Sequence, residues 1–542
     1  MPDTQVLSNP QGGDHVAEYD AIIIGAGISG MFMLYRLREL GMTTKVFEMG
    51  SNVGGTWYWN RYPGALSDTE SFVYCYSFDK ALLQEWDWDT RYVTQPQILS
   101  YLNHVADRLD LRRDIEFNTG VTGARFDEQR NLWHVQLDSG KTVTARYLVT
   151  ALGLLSATNV PDIKGIETFQ GAQYHTGAWP EGLDFKGKRV GVIGTGSTGI
   201  QVITALAPQV GHLTVFQRSP QYSVPVGNGP VSPDYVKSVK QNYDQIWKDV
   251  RSSVVAFGFK ESAVPALSVS EEERRAVYQK AWERGGGFRF MFETFCDIAT
   301  DEAANETAAA FIRGKIAEVV KDPETARKLT PTDLYAKRPL CDSGYYATFN
   351  RDNVSLVDVK ANPIAEVTPK GIKTADGVEH ELDVLIFATG FDAVDGNYTR
   401  IDLRGRNGLT IQEKWKSGPT SYLGVANADY PNLFMILGPN GPFTNLPPSI
   451  ETQVEWISDL IKHMNDTGHE VVEATHEGED GWTATCKEIA GYTLFPKADS
   501  WIFGANIPGK ARTVMFYLAG LGAYSQKLNE VAGSGYPGFD IR

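Results

Sequence analysis

The sequence predicts an α/β protein made of two similar halves, with a helical segment inserted into the second half. Two glycine-rich turns each follow a short apolar run and precede a stretch of helical periodicity. Between residues 232 and 330 the apolar residues recur at helical spacing instead. A chain of 542 residues exceeds what one hydrophobic core usually serves, so two or three domains are expected.

Each glycine turn belongs to a strand–turn–helix–strand unit. The predicted elements of the first unit are a strand at 21–24, a helix from Met31 to Leu40 that ends at Gly41, and a strand at 45–47. Those of the second unit are a strand at 190–193, a helix that ends near Leu206, and a strand at 213–216. Two βαβ units of this length predict two Rossmann-like dinucleotide-binding domains.

The inserted segment is predicted to begin with a helix at Ser232 and Pro233. Serine is a favourable N-cap, and proline suits the first helical turn. One apolar face follows, made of Val236, Val239, Tyr243, Ile246 and Val250. Two further helices have clear signals, namely a capping box at Ser270–Glu273 with a glycine stop at 285–287, and a start at Asp301 with an end near Val320.

Two similar strands bracket the second unit and indicate a discontinuous first domain. Residues 383–387 and 147–150 are both apolar and are both followed by a turn of small residues. The chain is therefore expected to leave the first domain near residue 153 and to return near 390. The predicted domains are 1–153 with 390–542, 154–231 with 331–389, and the inserted helical subdomain 232–330.

Composition limits the classes of partner. The formal net charge of −15 argues against nucleic acid or an anionic membrane as a partner. The cysteines lie far apart without a C-x-x-C pair, so neither a metal site nor a dithiol centre is expected: Cys75, Cys296, Cys341 and Cys486. Residues 1–18 lack a signal-peptide pattern and are expected to form a disordered tail. A cytoplasmic protein with reduced thiols and no membrane span is expected.

The first glycine turn has the features of an FAD site. Gly25, Gly27 and Gly30 fit the pattern G-x-G-x-x-G between a strand and a helix. Glu48 ends the second strand, where a carboxylate accepts hydrogen bonds from ribose hydroxyls. The same turn also occurs in α/β proteins that bind no nucleotide, and the βαβ context with Glu48 is what favours a cofactor.

The second turn differs at the position that reads the ribose. Its residues are Gly194, Thr195, Gly196, Ser197, Thr198 and Gly199. The place equivalent to Glu48 is held by Arg218, whose guanidinium suits a 2'-phosphate, and this favours NADPH over NADH. The alternative for Arg218 is a solvated loop residue.

Several classes of protein share two such turns. They include disulfide reductases, oxygenases of amines and sulfides, and oxygenases of ketones. The chain has no cysteine pair to accept electrons from a flavin, so O2 is the expected acceptor. An oxygenase of nitrogen or sulfur, or a nucleotide-binding redox sensor, stays open at this point.

Two segments outside the turns carry a family resemblance. Phe169, Gly171, His175, Trp179 and Pro180 fit F-x-G-x-x-x-H-x-x-x-W-P, which resembles the fingerprint of Baeyer-Villiger monooxygenases. The flavin oxygenases of nitrogen and sulfur resemble it with Tyr or Phe in place of Trp179. Residues 54–68 look like a longer fingerprint of the same family, and segments 340–346 and 438–448 resemble its cyclohexanone monooxygenases. The resemblance extends from about Asp20 onward.

The resemblance implies a function and a catalytic pair. It implies an FAD- and NADPH-dependent monooxygenase that uses a C4a-peroxyflavin to insert oxygen beside the carbonyl of a cyclic ketone, giving a lactone. Arg338 corresponds to the catalytic arginine of the family, and Asp68 to the aspartate that positions it. Ketone and O2 are then the partners, while the ring size of the ketone and the oligomeric state stay open.

The resemblance also implies three sets of contact residues. The FAD set is Gly25, Gly27, Gly30, Glu48, Gly55, Thr56, Trp57, Asp68, Tyr74 and Val121. The NADP set is the turn from Gly194 to Gly199 with Arg218, Lys337 and Trp501. The substrate set is Leu154, Phe257, Phe290, Phe443, Leu446 and Phe516, all apolar as a small ketone requires.

Two conspicuous residues are interpreted as structural. His175 could be a general base, but the resemblance places it at the domain junction, so a structural or domain-coupling role is preferred. Trp179 is interpreted as a core aromatic. Trp57 follows Gly55 and Thr56 in the loop that resembles a flavin contact, and it is therefore preferred as a functional residue.

Overall fold

The fold is described from a computed structural model, which covers residues 17–542. The predicted disordered tail falls almost wholly on residues 1–16, which lie outside the described residues. At the start of the described chain, the amide of Glu18 donates to Thr144 Oγ1 at 3.1 Å. The chain is therefore attached to the first sheet from its first described residues onward.

The strands fall into two main sheets and several small ones. In chain order they are β1 (Tyr19–Ile24), β2 (Thr44–Phe47), β3 (Leu66–Glu70), β4 (Tyr92–Thr94), β5 (Ile115–Glu116), β6 (Val121–Asp127), β7 (Leu132–Leu137), β8 (Thr142–Thr150), β9 (Ala172–His175), β10 (Arg189–Ile193), β11 (His212–Gln217), β12 (Ser223–Pro225), β13 (Leu340–Asp342), β14 (Val354–Asp358), β15 (Ile364–Thr368), β16 (Gly371–Thr374), β17 (Glu379–Glu381), β18 (Val384–Phe387), β19 (Asp402–Arg404), β20 (Leu433–Met435), β21 (Gly441–Pro442), β22 (Val472–Ala474), β23 (Phe516–Tyr517) and β24 (Phe539–Ile541).

The helices surround these sheets and form the inserted segment. In chain order they are α1 (Ile28–Glu39), α2 (Thr56–Trp59), α3 (Lys80–Glu85), α4 (Gln95–Arg108), α5 (Ser197–Leu206), α6 (Pro233–Ser252), α7 (Glu271–Arg284), α8 (Gly287–Phe292), α9 (Glu302–Val319), α10 (Pro323–Leu329), α11 (Tyr345–Thr348), α12 (Ile411–Lys414), α13 (Leu446–Thr467), α14 (His476–Gly491) and α15 (Leu521–Gly533). None of these helices is both long and apolar enough to cross a bilayer.

The first main sheet has the strand order β19-β6-β7-β8-β1-β2-β5, with β20 also paired to β8. Strand β1 runs parallel to both β2 and β8, which places Ile24 between Phe47 and Thr150. Apart from its polar N-terminal end, β1 is buried on both faces, as an apolar parallel strand requires. The predicted first βαβ unit is confirmed, and its helix α1 begins at Ile28, three residues before the predicted start.

The second main sheet is wholly parallel, with the order β14-β11-β10-β18-β9. Its central strand β10 leads through the second glycine turn into α5, which ends at Leu206 as predicted. The fold class of two Rossmann-like domains is thus confirmed. Strands before residue 151 and after 401 build the first sheet, while the second sheet uses strands from 172 to 387. The predicted boundaries near 153 and 390 stay predictions.

The inserted segment contains the three predicted helices and two more, α8 and α10. Ser232 caps α6 by accepting from the Tyr235 amide, and the capping box at Ser270 starts α7. Asp301 caps α9. The glycines at 285–287 end α7 as predicted, but Gly287 also begins the short helix α8, which the sequence did not indicate.

A buried ion pair fastens the insertion to the first domain. Glu451 on α13 is fully buried and accepts from the amides of Ser77 and Phe78 at 2.5 and 3.2 Å. Arg251, at the end of α6, donates to Glu451 at 3.0 Å and to Glu455 at 2.8 Å. Burial raises the pKa of Glu451 despite the nearby Arg251 and Ser77. This carboxylate therefore depends on Arg251 for its charge balance.

We expect Arg251→Met to lower the free energy of unfolding by about 2 to 3 kcal/mol, because Glu451 would remain as an uncompensated buried charge. Urea unfolding of the cofactor-loaded protein measures the change. The matched control is Arg327→Met, since the Arg327–Glu324 pair is exposed at 68% and 56%. That control should shift stability by less than about 0.5 kcal/mol. Equal losses in the two variants would show that the Glu451 pair is no stronger than a surface pair.

Candidate active site

The first glycine turn holds a carboxylate at the position expected for ribose recognition. Glu48 is 5% exposed and accepts from the amide of Ala26 at 2.7 Å and from that of Gly50 at 2.6 Å. Burial raises the pKa of Glu48, although both amide bonds counteract this shift. A carboxylate has about four acceptor sites, so two amides leave capacity for ribose hydroxyls. The chemistry of this site fits the adenosine end of FAD.

The loop after this turn brings the other predicted FAD contacts together. The Gly54 amide donates to Ala26 O at 3.0 Å, which lays α2 against the turn. On α2, the indole of Trp57 donates to the Tyr74 hydroxyl at 3.0 Å, with the two rings perpendicular at 5.7 Å. Predicted contacts Gly55, Thr56, Trp57 and Tyr74 are therefore neighbours. Val121 lies apart from them, at the start of β6.

The second turn leaves room for a phosphate group. Gly194 has φ +106°, and a Cβ there would lie 2.4 Å from the carbonyl oxygen of Ala388. At Gly196, by contrast, a Cβ would meet no atom within 4 Å. No side chain caps α5, so its first amides remain available to an anion. The open cradle at Gly196 fits the pyrophosphate of NADP.

The two predicted cations of the NADP site have different surroundings. Arg218 is exposed just after β11, and its guanidinium makes no ion pair within residues 17–542. The Thr195 hydroxyl donates to Ser219 O at 3.1 Å and so ties the turn to the Arg218 segment. Lys337 pairs instead with Asp333 at 2.6 Å. A 2'-phosphate would have to compete with that carboxylate for Lys337.

The structure pairs the two predicted catalytic residues. Arg338 Nη2 lies 2.5 Å from Asp68 Oδ2, with the side chains 25% and 15% exposed. Asp68 is in β3, and Arg338 precedes β13 in the chain. The guanidinium carbon also lies 5.4 Å from the ring centroid of Phe288. The cation is thus held between a carboxylate and an aromatic face.

Tyr62, which the sequence analysis did not single out, lies beside the Asp68–Arg338 pair. Its hydroxyl donates to Gln201 Oε1 on α5 at 2.7 Å, and Gln201 Nε2 donates to Leu66 O at 3.1 Å. Burial raises the pKa of Tyr62 to about 12, with Asp68 and Arg338 close by. The Tyr-Pro-Gly turn of the longer fingerprint was the available signal. Tyr62 and Gln201 join the helix of the second turn to the strand that carries Asp68.

An aromatic cluster lies beside Arg338, and we call the rings of Phe257, Phe288, Phe443, Phe516 and Trp501 the aromatic wall. Phe257 stacks on Phe288 with centroids 4.0 Å apart, and Phe288 lies 6.4 Å from Phe443. Phe443 lies 5.3 Å from Phe516 and 6.3 Å from Trp501. Three predicted substrate residues and the predicted NADP contact Trp501 therefore meet. Of the other three, Leu446 begins α13, and Leu154 is buried near Val394, whose amide donates to the Leu154 carbonyl at 3.1 Å. Phe290 lies elsewhere.

Phe290, one of the predicted substrate residues, packs inside the insertion and not among the rings of the aromatic wall. Phe290 is fully buried and stacks on Tyr278 at 5.3 Å, with Phe311 at 6.0 Å, inside the insertion. Phe288 occupies the wall instead. Because α8 is helical, residues two positions apart point to nearly opposite sides. The sequence reasoning treated the three glycines only as a stop signal and so missed this helix.

A buried amide holds the segments of the wall together. Asn445 Nδ2 donates to the carbonyls of Val73 and Ala256, at 2.8 and 3.0 Å. Val73 precedes the predicted FAD contact Tyr74, while Ala256 precedes Phe257. Asn445 thus links the flavin loop, the insertion and the start of α13.

His175 and Trp179, the two residues interpreted as structural, are both buried. His175 Nδ1 accepts from the Gly177 amide at 3.0 Å, and its ring meets Phe391 at 5.8 Å. Burial lowers the pKa of His175, so it is uncharged at neutral pH. Trp179 packs 5.8 Å from both Tyr174 and Phe185. The four cysteines are unpaired, and no candidate metal cluster occurs in the described part of the chain.

We expect Gly194→Ala to destabilise the protein by about 2 kcal/mol, because alanine is strained at positive φ and its Cβ would contact Ala388 O. Gly196→Ala is the matched control for stability. Its backbone is extended and its Cβ has open space, so stability should change by less than about 0.5 kcal/mol. The Kd for NADP+ should nevertheless rise about tenfold, since the methyl group occupies the phosphate cradle. Calorimetric unfolding and NADP+ titration measure the two effects. Unchanged NADP+ affinity in Gly196→Ala would place the phosphates elsewhere.

Known proteins share this architecture. The family model described as pyridine nucleotide-disulphide oxidoreductase matches residues 22–278. A Baeyer-Villiger monooxygenase from Pseudooceanicola batsensis is 63% identical over 96% of each chain. A phenazine N-monooxygenase from Lysobacter antibioticus is 57% identical, also over 96% of each chain.

A solved structure extends the likeness to the whole fold. The crystal structure of cyclohexanone monooxygenase from Rhodococcus sp. Phi1 bound to NADP+ matches with a TM-score of 0.96 and 62% identity, over 97% of this chain and 99% of that one. Similarity at this level over nearly the whole chain shows the family. The chain belongs to the FAD- and NADP-dependent Baeyer-Villiger monooxygenases.

Proposed function

We propose that this enzyme converts cyclic ketones to lactones by inserting one oxygen atom beside the carbonyl. Ketone, O2, NADPH and a proton give lactone, NADP+ and water. The observation that carries the proposal is the Arg338–Asp68 ion pair, which lies against Phe288 of the apolar aromatic wall. An oriented cation beside an apolar pocket suits a small neutral ketone on which negative charge develops.

The residues divide the two cofactors between the turns. When bound, FAD takes a hydride from NADPH and then activates O2 for transfer of one oxygen atom. Glu48 and the turn at Gly25 hold the flavin nucleotide. The cradle at Gly196 and the exposed guanidinium of Arg218 hold the NADP phosphates. This division is supported by the opposite charges of Glu48 and Arg218 at equivalent places.

Arg338 supplies the electrostatic part of the reaction. Attack on a ketone carbon places negative charge on the carbonyl oxygen, and guanidinium N–H groups can donate to it. Asp68 occupies one side of the guanidinium at 2.5 Å and fixes its direction. The rings of the wall exclude water on the other side, which strengthens the attraction between cation and anion.

Asp68 and Tyr62 act as positioning residues in this proposal. Asp68 orients Arg338, as described. Tyr62 stays protonated at neutral pH because its pKa is about 12, so it keeps its hydrogen bond to Gln201. That bond holds α5, and with it the NADP turn, at a fixed place beside β3.

We also propose a cytoplasmic location for the enzyme. The unpaired thiols of Cys75, Cys341 and Cys486 are all buried without a disulfide, which suits a reducing compartment. The acidic net charge suits a protein whose partners are the small ketone and O2.

A second candidate activity is oxygenation of an aromatic ring nitrogen. A relative of 57% identity carries the name phenazine N-monooxygenase, and the stacked rings of the wall suit a flat heterocycle. Incubation with phenazine, NADPH and O2, followed by mass spectrometry of N-oxides, tests this activity. If cyclohexanone yields lactone and phenazine yields no N-oxide, this second activity is excluded.

Arg338→Ala should separate the two halves of the reaction. We expect reduction of the flavin by NADPH to stay within about threefold of wild type, while lactone formation falls about 100-fold or more. The two electrons from each NADPH should then reduce O2 to hydrogen peroxide instead of yielding lactone and water. The control is Arg327→Ala, which removes an arginine whose side chain is 68% exposed. Stopped-flow reduction and chromatography of the lactone give the readouts, and wild-type yields of lactone in Arg338→Ala would refute the assignment.

Arg218→Ala should reduce the preference for NADPH over NADH. Loss of a charge-assisted contact to the 2'-phosphate is expected to lower the ratio of kcat/KM values about 10- to 100-fold. Lys337→Ala should have a smaller effect, because Lys337 is shared with Asp333 in the structure. Steady-state kinetics with both coenzymes provide the ratios. An unaltered ratio in Arg218→Ala would mean that another residue reads the phosphate.

A further inference from the structure

The position of Phe288 depends on a helix with little stability of its own. Helix α8 has six residues and follows Gly285 and Gly286, both at positive φ. A single turn or two of helix is unstable in isolation. Yet its residue Phe288 touches both Phe257 of the wall and the guanidinium of Arg338. Some other contact must therefore hold α8 in place.

Phe290 packs α8 against the rest of the insertion. Arg289, the residue after Phe288, joins α8 to strand β3. Its side chain is 4% exposed, and its Nη2 lies 2.5 Å from Glu70 Oε1, itself on a side chain that is 7% exposed. Its Nη1 donates to Glu293 at 2.7 Å, and its guanidinium carbon lies 4.8 Å from the ring centroid of Phe259. Burial alone would raise the pKa of Glu70, but Arg289 and Arg91 lower it below its usual value. The pair is therefore fully charged at neutral pH.

Burying this arginine does not optimise stability. Its Nε–H finds no acceptor among the described residues, and a buried ion pair often contributes less than apolar packing of the same volume. Such a pair can instead fix the relative position of two segments of chain. The segments that this pair joins are α8 and β3.

Strand β3 carries the carboxylate partners of both Arg338 and Arg289. Asp68 and Glu70 are two residues apart in β3, whose pairing with β4 shifts register between Leu66 and Glu70. Asp68 holds Arg338, and Glu70 holds Arg289. One short strand thus sets the places of the catalytic cation and of the helix that carries Phe288.

We propose that Arg289 is a positioning residue that determines the selectivity of the enzyme for its ketone. Its ion pair with Glu70 fixes the ring of Phe288 relative to Arg338. A ketone bound against Phe288 then presents one of its two flanking carbons for migration. This inference rests on the proposed function, because it concerns the orientation of the ketone.

A prochiral substrate shows the orientation directly. In 4-methylcyclohexanone the two carbons beside the carbonyl are enantiotopic, and migration of one or the other gives opposite enantiomers of the lactone. The ratio of lactone enantiomers therefore reports which carbon migrates. The variants are Arg289→Met and Glu70→Gln, with Glu293→Gln as a milder change that leaves the Glu70 pair intact. The matched control is Arg91→Met, because Arg91 binds the same Glu70 oxygen at 2.8 Å but belongs to the segment before β4.

We expect Arg289→Met and Glu70→Gln to change the enantiomer ratio about fivefold or more and to raise KM for the ketone several-fold. Flavin reduction by NADPH should stay within about twofold of wild type, since neither residue belongs to the cofactor turns. Glu293→Gln should shift the ratio in the same direction by a smaller factor. Arg91→Met should leave the ratio unchanged.

Wild-type enantiomer ratios in FAD-loaded Arg289→Met would overturn the inference, as would an equal change in Arg91→Met. If Arg289→Met fails to fold, the ratio from Glu70→Gln decides, and an unaltered ratio there also overturns the inference. Absence of lactone from the wild-type enzyme would instead refute the proposed function itself.

Discussion

The ion pair between Asp68 and Arg338 is the contact on which the site depends. Asp68 lies in a strand close to the flavin loop, whereas Arg338 follows the inserted helices and precedes β13. The 2.5 Å approach exists only if the two sheets and the insertion are held in one arrangement. The Tyr62–Gln201 bond and the Arg251–Glu451 pair both contribute to that arrangement. Since the cation is one-quarter exposed, its orientation is set by its partner and not by enclosure alone.

The sequence predicted the parts of the fold that follow local rules. The glycine turns, the caps at Ser232 and Ser270 and the end of α5 at Leu206 all depend on neighbouring residues, and the structure has them in place. The sequence did not indicate how Phe288 and Phe290 face, because they lie in a helix of six residues after consecutive glycines and no periodicity is visible over so short a span. Tyr62 was missed for another reason. Its partner Gln201 lies on a distant helix, and single-sequence patterns do not show such pairs.

Cofactor binding and choice of reaction use separate parts of the molecule. Glu48 and the turns recognise the nucleotide ends, and their geometry is compatible with many redox enzymes. In the proposed function, the junction that holds Arg338 is what distinguishes an oxygenase of ketones. Relatives of 63% and 57% identity carry names for ketone and for nitrogen oxygenation, respectively. The wall around Arg338 is therefore a more informative place than the turns to look for differences in substrate within this family.

The amide of Asn445 has a consequence for how mutations can reshape the substrate pocket. It joins Val73, Ala256 and the start of α13, so the wall is assembled from three separate stretches of chain that meet at one buried side chain. Residues that never touch the ketone can then alter the shape of the pocket by shifting one stretch against another. Substrate selectivity in this architecture depends on the contacts between chain segments as much as on the residues that line the pocket. Random mutagenesis should therefore recover variants with altered selectivity at buried positions that do not line the pocket.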